Sequence, residues 1–214
     1  MSIVLPIPAD ARPRRFVQLF AGLLLFGFST GLLVEANLGL DPWDVLHQGA
    51  QRRTGATIGT ATIAISVLVL FLWIPLRQRP GFGTLSNAIV VGLALDATVF
   101  LMPRPETLLV RGATLAAAIA LNGVATGLYI GAGMGPGPRD GLMTGLAARG
   151  HSIRVVRTAI EVTVLAVGWR LGGTVGIGTV AYAVLIGPLA HVFIPLFTVG
   201  GGSPTHPGAP GKGL

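Results

Sequence analysis

The chain has 214 residues, of which 51% are hydrophobic and only 11% charged, against roughly 25% charged in an ordinary soluble domain. With a mean hydropathy of +0.74, one core of this size cannot hide so many apolar side chains, so much of the surface itself must face lipid. The net charge of +7 does not call for a nucleic-acid partner, because fourteen of the fifteen positive residues are arginines scattered between apolar runs, the pattern of loop charges that orient helices in a bilayer. The lack of cysteine rules out disulfides, thiolate metal sites and cysteine catalysis.

A bilayer core of about 30 Å asks for about 20 predominantly apolar residues per helix. Taken in chain order, 16–34 and 58–76 carry no charge before the end of the run, 83–102 carries only Asp96, and 113–134 has nothing more polar than Asn122 and a few hydroxyls. The segment 153–173 is a weaker span because it holds Arg154, Arg157, Glu161 and Arg170, two of which can snorkel from its ends. The last span, 175–199, is apolar apart from His191, and Pro188 and Pro195 suggest kinks in it. Nothing marks a cleaved signal peptide: the first apolar run is full length and follows Arg12, Arg14 and Arg15. The Gly/Pro-rich tail 200–214 is expected to be disordered.

The chain is also expected to be a tandem repeat. At an offset of 96, 15–49 aligns with 111–145 with 14 identities in 35 positions, among them Gly27/Gly123, Thr30/Thr126, Gly31/Gly127, Pro42/Pro138 and Asp44/Asp140. Chance agreement is about one in ten in such a composition. At offset 95 the match continues through Gly81/Gly176, Gly83/Gly178, Thr84/Thr179 and Gly92/Gly187. The organisation expected is a cytoplasmic tail 1–14, repeat 1 over 15–102, a linker 103–110, repeat 2 over 111–199, and the tail.

Each copy holds three spans and, after its first, a short segment: 42–53 and 138–149. Twelve residues rise about 18 Å, too little to cross, so each is a half-helix or an interfacial helix. Three crossings per copy is odd, and the second copy must then be inverted, as in many secondary transporters and channels. The expected fold is therefore all-α, with six transmembrane helices in two inverted three-helix repeats. Arginine and lysine divide ten to five between the two faces when both termini are cytoplasmic.

Both short segments read as helix starts, with an Asp or Gly cap, proline first and Asp third. Asp44 and Asp140 would accept from the free amides of the first turn and complement the helix dipole. That capping role accounts for them if the helices lie at the water interface. If the half-helices dip inward from opposite faces, Pro42, Trp43, Asp44, Pro138, Arg139 and Asp140 line one midplane site, whose amides suit an anion or carbonyl and whose carboxylates suit a cation, an amine or a proton. Trp43 stands opposite Arg139, and His47 opposite Met143, as an asymmetric substrate would require or as drift would leave them.

Other in-span polar groups are candidates for proton or ion coupling. Asp96 and His191 align between the copies; they form a pair across the symmetry axis or sit separately near headgroup water. Arg157 and Glu161, one turn apart, neutralise each other or face a cavity. Glu35 and Asn37 end the first span near the half-helix. The Gly-rich runs lack the strand-turn-helix context of a phosphate loop and fit close helix packing instead. No cofactor and no metal site is expected.

The motifs Gly39-x-x-Pro42-Trp43-Asp44 and Gly137-Pro138-Arg139-Asp140-Gly141-Leu142, with the paired Gly-x-Gly-Thr runs at 81–84 and 176–179, together resemble the YczE/YitT-type bacterial integral membrane proteins. The resemblance covers roughly residues 15–197 and implies a multi-pass protein of the bacterial cytoplasmic membrane, with no catalytic residues to carry over. The function expected is transport of a small molecule or ion through the site between the repeats. A non-transporting accessory or scaffold protein is the alternative, with a passive channel or a membrane enzyme behind it. The aspartates are too few and wrongly spaced for a lipid phosphotransferase or an intramembrane aspartyl protease, so no enzyme is expected; the partners expected are the lipid bilayer and an unidentified small-molecule or ion substrate, with no nucleic acid, and a homo-oligomer stays open.

Overall fold

The computed structural model describes residues 4–200. All the secondary structure in these residues is helical. The helices are α1 (Arg12–Ala36), α2 (Pro42–Thr54), α3 (Ile58–Leu76), α4 (Phe82–Leu101), α5 (Leu108–Gly131), α6 (Pro138–Ala147), α7 (Ile153–Arg170) and α8 (Ile177–Phe197). Five of them, α1, α3, α4, α5 and α8, are long and apolar enough to cross a membrane. The expected sixth, α7, forms over 18 residues, but four of those are charged and it does not meet the same standard. The disorder expected for 200–214 falls outside the described residues except at Gly200.

Two rows of helices make the molecule. In one, α4, α1, α5 and α8 lie side by side; in the other, α2 and α6 pack between α3 and α7. Glycines set the spacing and reveal the directions. On α1, Gly22 abuts Tyr129 of α5, while Leu33 and Val34 cluster with Leu115 and Ile119, so α1 and α5 run antiparallel. Gly27 and Gly31 of α1 meet Ala94 and Thr98 of α4, and Gly123 and Gly127 of α5 meet Leu189 and Phe193 of α8. In both pairs the numbers rise together, so α1 is parallel to α4 and α5 to α8. A side chain at any of these four glycines would overlap its neighbour, which is the small-residue mode of helix contact in lipid.

Connections between the halves are reciprocal. The amide of Gly83 at the start of α4 donates to the Met134 carbonyl at 2.8 Å, and that of Gly178 at the start of α8 donates to the Leu38 carbonyl at 2.8 Å. Gly135 (φ +116°) and Gly39 (φ +115°), in the loops that follow those carbonyls, adopt a conformation that L side chains avoid while resting on 81–84 and 176–179 respectively. Each loop before a short helix therefore seats on the other half's last helix. The short helices cross over too: α2 packs on α7, and α6 on α3.

Large apolar side chains cover the outer faces, including Val17, Leu24, Leu68, Phe71, Phe100, Val180, Val184 and Leu196. A surface of this kind is solvated by lipid.

Candidate functional site

Local sequence dictates how α2 and α6 begin. Asp41 stands at the N-cap of α2 in extended backbone, and its Oδ1 accepts the Asp44 amide at 2.8 Å; Pro42 follows, where no amide is needed. Gly137 occupies the same place before α6, with Pro138 next. Gly137 supplies no capping side chain, so the acidic group at that end is Asp140, in the first turn.

These two helix starts meet. A cavity of about 50 Å³ is lined by Trp43, Asp44 and His47 from α2 and by Gly137, Pro138, Arg139 and Asp140 from α6. The remaining walls come from Phe26, Thr62, Ile65, Ser66, Val69, Asn87, Val91 and Tyr129. Phe26, Ser66 and Val91 lie within a turn of the midpoints of α1, α3 and α4, so the cavity sits half-way along these three helices, and Tyr129 reaches it from near the end of α5.

Five of the six residues expected at a shared site, Trp43, Asp44, Pro138, Arg139 and Asp140, line the cavity, and Pro42 does not. Arg139 spans the gap between the two helices: its Nη1 lies 3.2 Å from Asp41 Oδ2, and its guanidinium covers the Phe26 ring at 5.4 Å. The Tyr129 hydroxyl donates to Asp140 Oδ2 at 2.8 Å, and Trp73 Nε1 donates to the Pro138 carbonyl at 3.0 Å. His47 Nδ1 is 3.0 Å from Asp44 Oδ1. Two polar atoms lack a partner: Asp44 Oδ2 and Trp43 Nε1, on residues only 4% and 5% exposed. Leaving such a group unmatched costs roughly 1–3 kcal/mol, and a ligand in the cavity would remove that penalty.

The other candidates lie elsewhere. Asp96 is a cap for α3: Oδ1 accepts the Gly59 amide at 2.7 Å, and Oδ2 accepts the Thr57 hydroxyl. His191 is exposed on α8, and no hydrogen bond or ion pair joins it to Asp96. Arg157 and Glu161 pair at 2.9 Å on the outer face of α7, with Arg157 56% exposed. Glu35 is buried and paired with Arg104 at 3.2 Å, and Asn37 terminates α1 in the left-handed region; neither lines the cavity. Among the described residues, no group of three or more His, Asp or Glu is arranged to hold a metal ion.

Sequence reasoning treated Asp41 only as a cap and passed over Tyr129 and Asn87. A signal existed for Tyr129, a hydroxyl in a span where the repeat partner, Leu33, is apolar.

Residues 13–195 match a family model described as a family of unknown function, DUF6198. The chain belongs to this family. It is 42% identical over 179 residues to an uncharacterized protein of Haemophilus influenzae, covering 83% of this chain and 82% of that one. It is 33% identical to the uncharacterized membrane protein YczE of Bacillus subtilis, covering 85% and 86%, and 29% identical to the uncharacterized protein YyaS of the same organism, covering 82% and 90%. The expected resemblance to YczE thus holds over most of the chain, and this is a membrane protein with several apolar helices. No solved structure matches.

Proposed function

We propose that this family member is a transporter-like protein that moves a small molecule or ion through the cavity between α2 and α6. The observation that carries the reading is the convergence of two proline-started helices from different halves of the chain on one cavity at mid-length of α1, α3 and α4, with Asp44 Oδ2 left unpartnered. Broken helices meeting at the midplane are how inverted-repeat transporters build solute sites.

Helix directions support the topology this requires. If α2 crossed the membrane, α1 and α4 would be antiparallel; they are parallel, as are α5 and α8. Three crossings per half, with α7 as the sixth span, would account for these directions. The antiparallel course of α1 and α5, the equivalent first spans, supports inversion of the halves. The reciprocal contacts of Gly83 with Met134 and Gly178 with Leu38 relate by the repeat offset. The arginine distribution supports cytoplasmic termini, and the bacterial relatives support the cytoplasmic membrane.

Reconstitution into liposomes and a flux screen over small cations, anions and neutral solutes tests this. Asp44→Asn and Asp140→Asn should each abolish the flux that the wild type supports. A second reading, a non-transporting scaffold, draws on the outward charges of α7, where Arg154, Arg157 and Arg170 are exposed; it expects both variants to keep function.

A further inference from the structure

The reading of the cavity as a solute site leaves its chemistry open, and the bonds around it narrow the choice. Asp44 and Asp140 line the cavity, and Asp41 lies under Arg139 at the start of α2. Asp41 is fully engaged, by the Asp44 amide and by Arg139. Asp140 receives the Tyr129 hydroxyl. Asp44 has one oxygen on His47 and one on nothing. Arg139, the guanidinium that lines the cavity, is already taken up by Asp41, so the balance at Asp44 is one acceptor oxygen left over with no cation on it.

That balance disfavours an anion, in spite of the helix N-termini, because the first-turn aspartates already complement those ends. It also limits the cation. A hard divalent ion takes six to eight oxygen ligands, whereas among the described residues no three His, Asp or Glu side chains are grouped to hold a metal ion. An ammonium group needs few acceptors and is attracted to aromatic faces such as Trp43. The volume of about 50 Å³ admits only a few heavy atoms.

We propose that the cavity binds a small protonated amine, ammonium or a short primary alkylammonium, with its N–H donating to Asp44 Oδ2. The inference rests on the solute-site reading, yet binding is measured apart from movement. Thermal unfolding of the purified full chain in detergent, titrated with methylammonium chloride against matched sodium chloride, should give a saturating rise in Tm of about 5 °C or more. Tetramethylammonium, which has no N–H and is larger, should give none. Asp44→Asn should raise the half-saturating concentration at least tenfold, and Ser66→Leu, which fills the cavity without altering its charge, should remove the response. His191→Asn, on the exposed face of α8, should respond as the wild type does. No response of the wild type to methylammonium, an equal response to tetramethylammonium, or a response unchanged in both Asp44→Asn and Ser66→Leu would overturn the proposal. Radiolabelled methylammonium uptake into proteoliposomes separates the two readings: binding without uptake upholds the ligand and removes transport, whereas flux of another solute without methylammonium binding upholds transport and removes the ligand.

Discussion

Asp41, Asp44 and Asp140 differ less in charge than in what each oxygen touches. The Tyr129 hydroxyl donates to Asp140 from within the protein interior, so Tyr129→Phe should lower stability by about 1–3 kcal/mol, read as a fall in the thermal midpoint. Asp44 and Asp140 were legible from the sequence because proline and aspartate recur at the same spacing in both copies. The Arg139–Asp41 ion pair was not, since its partners are 98 residues apart and sit at positions where the copies differ. Outside the spans, Asp10 pairs with the buried Arg15 at 2.6 Å, and this hydrogen bond holds its carboxyl below the ordinary value of 3.8. A lowered folded-state value adds stability above the unfolded value that fades as pH falls through the folded one. Asp10→Asn should therefore lower Tm at pH 7, and the difference from wild type should shrink as pH is taken below about 3.9.

At the scale of elements, the two crossovers of short helix on long helix solve one packing problem in opposite ways. The backbone of Val45 and Leu46 of α2 lies against Gly168 of α7, whereas Gly141 of α6 receives the Trp73 ring of α3. Gly141 aligns with Val45 and Gly168 with Trp73, so the glycine of the contact has changed sides. Gly141→Ala should therefore destabilise by about 1–3 kcal/mol through overpacking, and Trp73→Phe combined with it should recover part of the loss in thermal unfolding. Element boundaries were legible where residues mark them: the proline of α2 and α6 stands where the helices begin. α5 starts earlier than hydropathy suggests, at Leu108, because Thr107 caps it by accepting the Val110 amide at 3.4 Å, a local bond that an apolar window does not register. For α7 the charges are the difficulty: it packs on α2 and α6 while turning Arg154, Arg157 and Arg170 outward.

For the whole molecule, hydropathy and length made five of the long helices legible, but the interlocking of the halves depends on contacts far apart in the chain. Inversion makes a sharp prediction. Arg53 and Arg149 end equivalent stretches and are both exposed, so single-cysteine variants Arg53→Cys and Arg149→Cys should react with a membrane-impermeant maleimide from opposite sides of the membrane. Labelling of both from one side would remove the inverted arrangement. The native chain lacks cysteine, so no background thiol obscures the result.

The reciprocal seating of the loops bears on biogenesis. Chains emerge N-terminus first, so when α4 has been synthesised the carbonyl that its Gly83 amide binds, on Met134, does not yet exist. The first half must wait in the membrane with the start of α4 unseated, and α2 must wait for α7. A ribosome stalled after residue 105 would hold a species open to membrane proteases, and synthesis of the second half would end that exposure. Expressed from separate genes, the two halves should rescue each other from degradation.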